Sequence, residues 1–147
     1  MAKQRSILSI VLAFVAVLLI SCGSPTVVKV PTYTPEQIAA IQSYASDVSA
    51  MRDRMPELQA LIEKKDWTFV RNFIHGPLGE LRVKMSTVTR DLLPNAQKPA
   101  RQAAKDVFDN LVTIDRAAEE SNSDLAVLNY NEAIKAFDAF FQLVPQA

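Results

Sequence analysis

The chain has 147 residues, the size of one ordinary domain, and its 49% hydrophobic and 22% charged content is globular and excludes disorder. Sixteen basic and sixteen acidic residues leave no net charge, which argues against a nucleic-acid binder held by phosphate contacts. Three glycines are too few for the turns of a β-sandwich or barrel or for a phosphate-cradling loop, and one cysteine excludes an internal disulfide framework and a thiolate zinc cluster.

Met1–Ser6 carries Lys3 and Arg5, and the uncharged run Ile7–Ile20 follows. Fourteen residues are short for a bilayer span, which takes about 20, but suit the apolar part of an export signal. The run ends in Leu19-Ile20-Ser21-Cys22-Gly23, which looks like a bacterial lipobox: a small residue precedes a cysteine that is lipidated and becomes the new N-terminus. The alternative is an ordinary secretory signal that leaves Cys22 free, but lipidation also accounts for an odd cysteine in an exported protein. The expectation is therefore a lipoprotein signal peptide over residues 1–21, a lipid on Cys22, and an extended tether over 22–33 containing Pro25 and Pro31. Cleavage removes Lys3 and Arg5 and no acid, leaving a weakly acidic mature chain.

Thr34-Pro35-Glu36-Gln37 reads as a helix start, with Thr34 as N-cap, Pro35 at the first position and Gln37 closing a capping box. Ile41, Ala45, Val48, Met51, Met55, Leu58 and Ile62 then recur at helical spacing. Pro56 falls inside that stripe without changing its phase and predicts a bend, not a break. Lys64–Asp66 closes this helix, with Asp66 placed to cap the next. The second stripe is Val70, Ile74, Leu78, Leu81, Met85, Val88 and Leu92, in phase through Gly76-Pro77 and stopped by Pro94-Asn95. A third helix is expected from near Pro99, with Ala100, Ala104, Val107, Leu111, Ile114 and Ala118 inward. After the polar break Glu120–Ser123, with Ser123 as cap, the fourth stripe is Ala126, Tyr130, Ala133, Phe137, Phe140 and Val144. Short connections make successive helices antiparallel. The predicted fold of residues 34–147 is all-α, an up-down-up-down antiparallel four-helix bundle.

Catalytic chemistry is nearly absent from this pattern. There is one histidine, His75, and no pair of Glu-x-x-His motifs for a di-iron centre, no covalent haem motif and no nucleophile elbow. His75 with Met51, Met55 or Met85 is a conceivable noncovalent haem pair, but those methionines fall at core spacing and read as core filler. No catalytic residue, cofactor, metal site or small-molecule substrate is expected, and the protein is not expected to be an enzyme.

The informative segment is Trp67–Arg82, which holds the single Trp, the single His and both glycines of the folded part. At 100° per residue, Arg71, His75 and Arg82 fall within about 40° of one another, beside the apolar stripe. The basic row either pairs with an adjacent helix or forms a partner-binding ridge, which makes Arg71, His75 and Arg82 the candidate partner-binding residues.

Trp67, Val70-Arg71, the run Phe73-Ile74-His75-Gly76-Pro77-Leu78-Gly79-Glu80-Leu81-Arg82, Met85 and Leu92-Leu93-Pro94 resemble the signature of the PsbQ family. The lipobox, the Pro-containing tether, Tyr130, Phe137 and Phe140, and the terminal Leu143-Val144-Pro145 resemble its cyanobacterial lipoprotein form, so the likeness covers the whole chain. The resemblance implies a non-catalytic extrinsic subunit on the lumenal side of the thylakoid membrane, anchored through lipid (palmitate) on Cys22. It would dock on extrinsic and core lumenal subunits of photosystem II, stabilising the oxygen-evolving centre and helping retain its calcium and chloride without supplying ligands. Plant members use a two-part transit peptide and no lipid, so their N-terminal contacts do not carry over. Two other classes fit the residues alone: a lipid-anchored bundle binding another cell-envelope protein, and a small haem- or metal-binding carrier.

Overall fold

The computed structural model describes residues 31–146; the expected signal peptide, Cys22 and most of the expected tether lie outside them. All the regular structure among the described residues is helical. The helices are α1 Pro35–Arg52, α2 Met55–Glu63, α3 Trp67–His75, α4 Leu81–Asp91, α5 Pro94–Glu119 and α6 Ser123–Phe141. The first two predicted stripes are thus each divided in two.

The start of α1 is built as its sequence requires. The Thr34 hydroxyl accepts from the Gln37 N–H at 3.2 Å, and the Gln37 side chain accepts from the Thr34 N–H at 2.9 Å. At Pro56 the ladder stops at Arg52 and resumes at Met55, because proline offers no N–H to the preceding turn. Asp53 and Arg54 nevertheless stay right-handed, at φ −66°, ψ −17° and φ −87°, ψ −6°. The chain therefore turns without losing phase, and Met55, Leu58 and Ile62 continue the buried face of Ile41, Ala45 and Val48.

Two helix ends share one device. At the end of α2 the Asp66 N–H reaches Leu61 O (3.0 Å) and the Lys65 N–H reaches Ile62 O (2.9 Å), with Lys65 at φ 57°. At the end of α5 the Asn122 N–H reaches Ala117 O (2.8 Å) and the Ser121 N–H reaches Ala118 O (3.3 Å), with Ser121 at φ 55°. Both are Schellman closures that place a non-glycine residue in the left-handed region. Asp66 occupies the N-cap of α3, but its side chain makes no capping bond. The cap of α6 is Asn122, whose side chain accepts from the Leu125 N–H at 3.0 Å, rather than Ser123.

The third helix begins at Pro94, five residues before the expected Pro99. Pro94 sits in the first turn, where no N–H is needed, so the residue that ends α4 also opens α5. The turn is tied by Gln97, whose side-chain amide donates to Leu92 O (2.9 Å) and Arg90 O (3.2 Å), and by the Leu93 N–H, which donates to the Tyr33 hydroxyl (2.9 Å). Tyr33 is partly buried against the core at that turn.

The core is one cluster that includes Ile41, Val48, Met55, Leu58, Leu81, Met85, Ile114, Phe137 and Phe140. Within α3 the deep position belongs to Phe73 (6% exposed), with Ile74 half-buried, which corrects the stripe at that point. The helix at 26 residues, α5, is about 39 Å long and packs against α3, α4 and α6. In the other contacts α1 lies against α4, and α2 against α3 and α6.

Candidate functional site

The seam where α3 and α4 pack on α5 gathers the residues of interest. Val70 and Phe73 hold α3 to the core, so Arg71 and His75, four residues apart, share a neighbouring face. Arg71 Nε donates to Asp115 Oδ1 at 3.2 Å, and Arg71 Nη2 lies 2.8 Å from Glu119 Oε1. His75 Nε2 stands 3.1 Å from the same Asp115 oxygen. Asp115 and Glu119 are themselves four apart on α5, so two side chains of one helix meet two of the other. The shared carboxylate is the most enclosed member, with its side chain 21% exposed against 66% for His75.

Between α3 and α4 the chain makes a tight turn over residues 76–80. The Gly76 N–H reaches Asn72 O (2.9 Å), the Leu78 N–H reaches back to Phe73 O (3.3 Å), and the Gly79 N–H bonds Gly76 O (2.9 Å). A Cβ on Gly76 would sit 2.9 Å from Asn72 O, and one on Gly79 2.8 Å from His75 O. Both glycines are therefore needed because backbone carbonyls approach them closely. Leu78 drops into the core and carries the buried face across the turn.

On the far side of that turn Arg82 does not join the cluster at Asp115. Its guanidinium carbon lies 4.1 Å from the centroid of the Phe108 ring, a cation–π stack. Three shallow hollows of about 320–350 Å³ follow one another along the seam. The first lies at Trp67, Arg71, His75 and Glu119. The second lies at Ile74, His75, Leu78, Arg82 and Val112, and the third at Arg82, Arg90, Arg101, Lys105 and Phe108. Lys105 is ion-paired with Asp109 on its own helix, and that hydrogen bond raises the ammonium pKa above its ordinary value. Among the described residues Arg82, Arg90 and Arg101 have no carboxylate within ion-pair distance.

Of the three basic residues that helical spacing places together, Arg71 and His75 meet at Asp115, while Arg82 lies across the turn and shares only the second hollow with His75; Cys22 is outside the described residues. Asp115, Glu119, Phe108, Arg90, Arg101 and Lys105 were not singled out by the sequence. A signal for the last three exists in hindsight: Arg82, Ser86 and Arg90 recur every four residues, as do Arg101 and Lys105, followed by Phe108. Met55 and Met85 are wholly buried in the core, whereas His75 is on the surface. Among the described residues no three of His, Cys, Asp or Glu gather as metal ligands would.

The PsbQ family, described as oxygen evolving enhancer protein 3, matches residues 2–145. The chain belongs to the PsbQ family. It is similar to a protein of Synechocystis sp. named CyanoQ, at 43% identity over 148 residues, covering 100% of this chain and 99% of that one. In this PsbQ-family chain the run Phe73–Arg82 is the end of α3, the turn and the first residues of α4. That part of the resemblance therefore shapes the seam.

Proposed function

We propose that this protein is a non-catalytic extrinsic subunit of photosystem II, docked on extrinsic and core lumenal subunits at the lumenal side of the thylakoid membrane. It stabilises the oxygen-evolving centre and helps it retain calcium and chloride. The observation that carries this reading is membership of an oxygen-evolving enhancer family along nearly the whole chain. In this reading residues 1–21 are a lipoprotein signal, lipid on Cys22 anchors the chain, and residues 34–147 form an up-down-up-down four-helix bundle. The helix contacts support that topology: α1 pairs with α4 and α2 with α3, as an antiparallel hairpin of two bent arms requires. Arg71, His75 and Arg82 lie on the docking side.

The test is co-purification. Photosystem II isolated through a tag on a core subunit is expected to carry this chain, and its loss is expected to lower oxygen evolution most when calcium or chloride is scarce. Photosystem II that never retains the chain sinks the reading. Cys22→Ser is expected to release the protein from membranes or leave it unprocessed; a mature N-terminus with an unmodified Cys22, seen by mass spectrometry, ends the anchoring proposal.

A further inference from the structure

We propose that the groove between α4 and α5 binds a linear acidic segment of a partner protein. Arg82, Arg90 and Arg101 take its carboxylates, and the hollow at Ile74, Leu78 and Val112 takes an apolar side chain. The inference rests on the reading of the protein as a docking subunit and names the surface that does the docking.

Three observations carry it. First, the groove is lined by three arginines, a lysine and no carboxylate, in a chain whose acids and bases are equal in number. Lys105 has Asp109, but among the described residues the arginines have no acidic partner: Arg90 donates to the Thr87 hydroxyl and Arg101 to the Gln97 amide oxygen, each at 3.4 Å, so like charges face one groove with no carboxylate opposite them. The contrast is the α3 end of the seam, where Asp115 and Glu119 already occupy Arg71 and His75. Second, the groove cations without such a partner are all arginine. A guanidinium offers a planar fork that matches a carboxylate, and Arg82 lies on Phe108 with its plane already set, which reduces the freedom lost on binding. Third, the groove is concave and runs into a hollow walled mainly by Ile74, Leu78, Leu111 and Val112, with Val112 65% exposed; Asp115 at its far edge is already engaged by Arg71 and His75. From Arg101 to Val112 along α5 is about 16 Å at 1.5 Å per residue. An extended segment of about five residues, at roughly 3.3 Å each, spans that distance. A chain lying between two helices fits this concave shape. A flat lipid surface would instead meet cations on a convex face.

The experiment uses the full mature chain in two assays. In the first, retention on isolated photosystem II is compared for wild type and Arg90→Glu with Arg101→Glu across a salt series, beside thermal melting. The expected result is a loss of about tenfold or more in affinity at low salt with the melting temperature unchanged, and a smaller loss for Arg90→Gln with Arg101→Gln, which also guards against a folding defect. A photo-crosslinker in place of Ser86 is expected to mark partner peptides rich in Asp and Glu. Should wild type bind and the charge-reversed chain bind as well, the groove inference is wrong and the docking reading stands. Should neither bind, the docking reading itself fails. In the second assay, phosphatidylglycerol vesicles are compared with phosphatidylcholine vesicles, both of which hold the lipid anchor. A preference for the anionic vesicles that disappears on charge reversal, with photosystem II binding intact, would assign the groove to lipid headgroups and overturn the acidic segment.

Discussion

At the α3 end of the seam, Arg71 meets Asp115 and Glu119 at 2.8–3.2 Å, so its charge is matched within the fold, and His75 shares the Asp115 oxygen at 3.1 Å. At the α4 end, Arg82, Arg90 and Arg101 ring a groove with no carboxylate in it, and Arg82 rests on an aromatic ring. The same residue type clamps two helices in one place and stands without a carboxylate in the other. What separates the two ends is the face of α5 beneath them: two acids at 115 and 119, an aromatic and two cations at 108, 105 and 101. A basic row on one helix has no role of its own until the facing helix is known.

The largest expected effect tests whether apolar packing, common to both ends, holds the seam together. Leu81 is wholly buried at the start of α4, so Leu81→Ala should cost about 2–5 kcal/mol in a denaturant melt. A loss below half a kcal/mol would mean that α4 is not anchored through this residue.

Next comes the turn that separates the two ends. In Gly79→Ala the new methyl carbon would meet His75 O at 2.8 Å, a backbone atom that moves only with the end of α3. The expected cost is about 1–3 kcal/mol. An unchanged melt would show that the turn tolerates a side chain and that its glycine is not structural.

A smaller effect compares the ends directly. Asp115→Ala removes the acid shared by Arg71 and His75, and partly exposed pairs contribute about 0–1 kcal/mol each. A modest but measurable loss of stability is expected, whereas Arg101→Ala should leave the melt unchanged. Arg71→Ala combined with Arg82→Ala removes two partly exposed ion pairs and the stack on Phe108, so a modest loss of stability like that of Asp115→Ala is expected, together with weaker attachment to photosystem II. If Arg101→Ala proved as destabilising as Asp115→Ala, the distinction between a clamped end and an open end would collapse.

The smallest effect has the opposite sign. Ser121 closes α5 at φ 55°, a conformation that glycine adopts without the Cβ clash. Ser121→Gly is expected to add about 0.5–1 kcal/mol of stability without altering binding at the seam. A destabilised variant would show that the Ser121 side chain, not the backbone, closes this end.

The helical stripes, the capping box at Thr34 and the phase kept across Pro56 were legible in the residues, because burial at 3.6-residue spacing is a local property of the chain. The cap of α6 and the start of α5 were not, because Asn122 took the place expected of Ser123 and Pro94 that of Pro99; Asp66 holds its N-cap position, but at ψ 70° its side chain makes no capping bond. Phe73, not Ile74, takes the deep position, because only the packed arms determine which side of a short helix faces inward.

Arg71, His75 and Arg82 could be placed on one side of the apolar stripe from their spacing alone. Their division could not. Whether an arginine meets a carboxylate, a ring or open solvent depends on which residues of a helix distant in sequence lie opposite, here Asp115 at 44 positions from Arg71. Periodicity tells which face of a helix points inward. It carries no information about the register in which two helices pack, and that register, set by the turn at Gly76–Glu80 and the early start of α5 at Pro94, decides which cations the fold neutralises and which it leaves without a carboxylate.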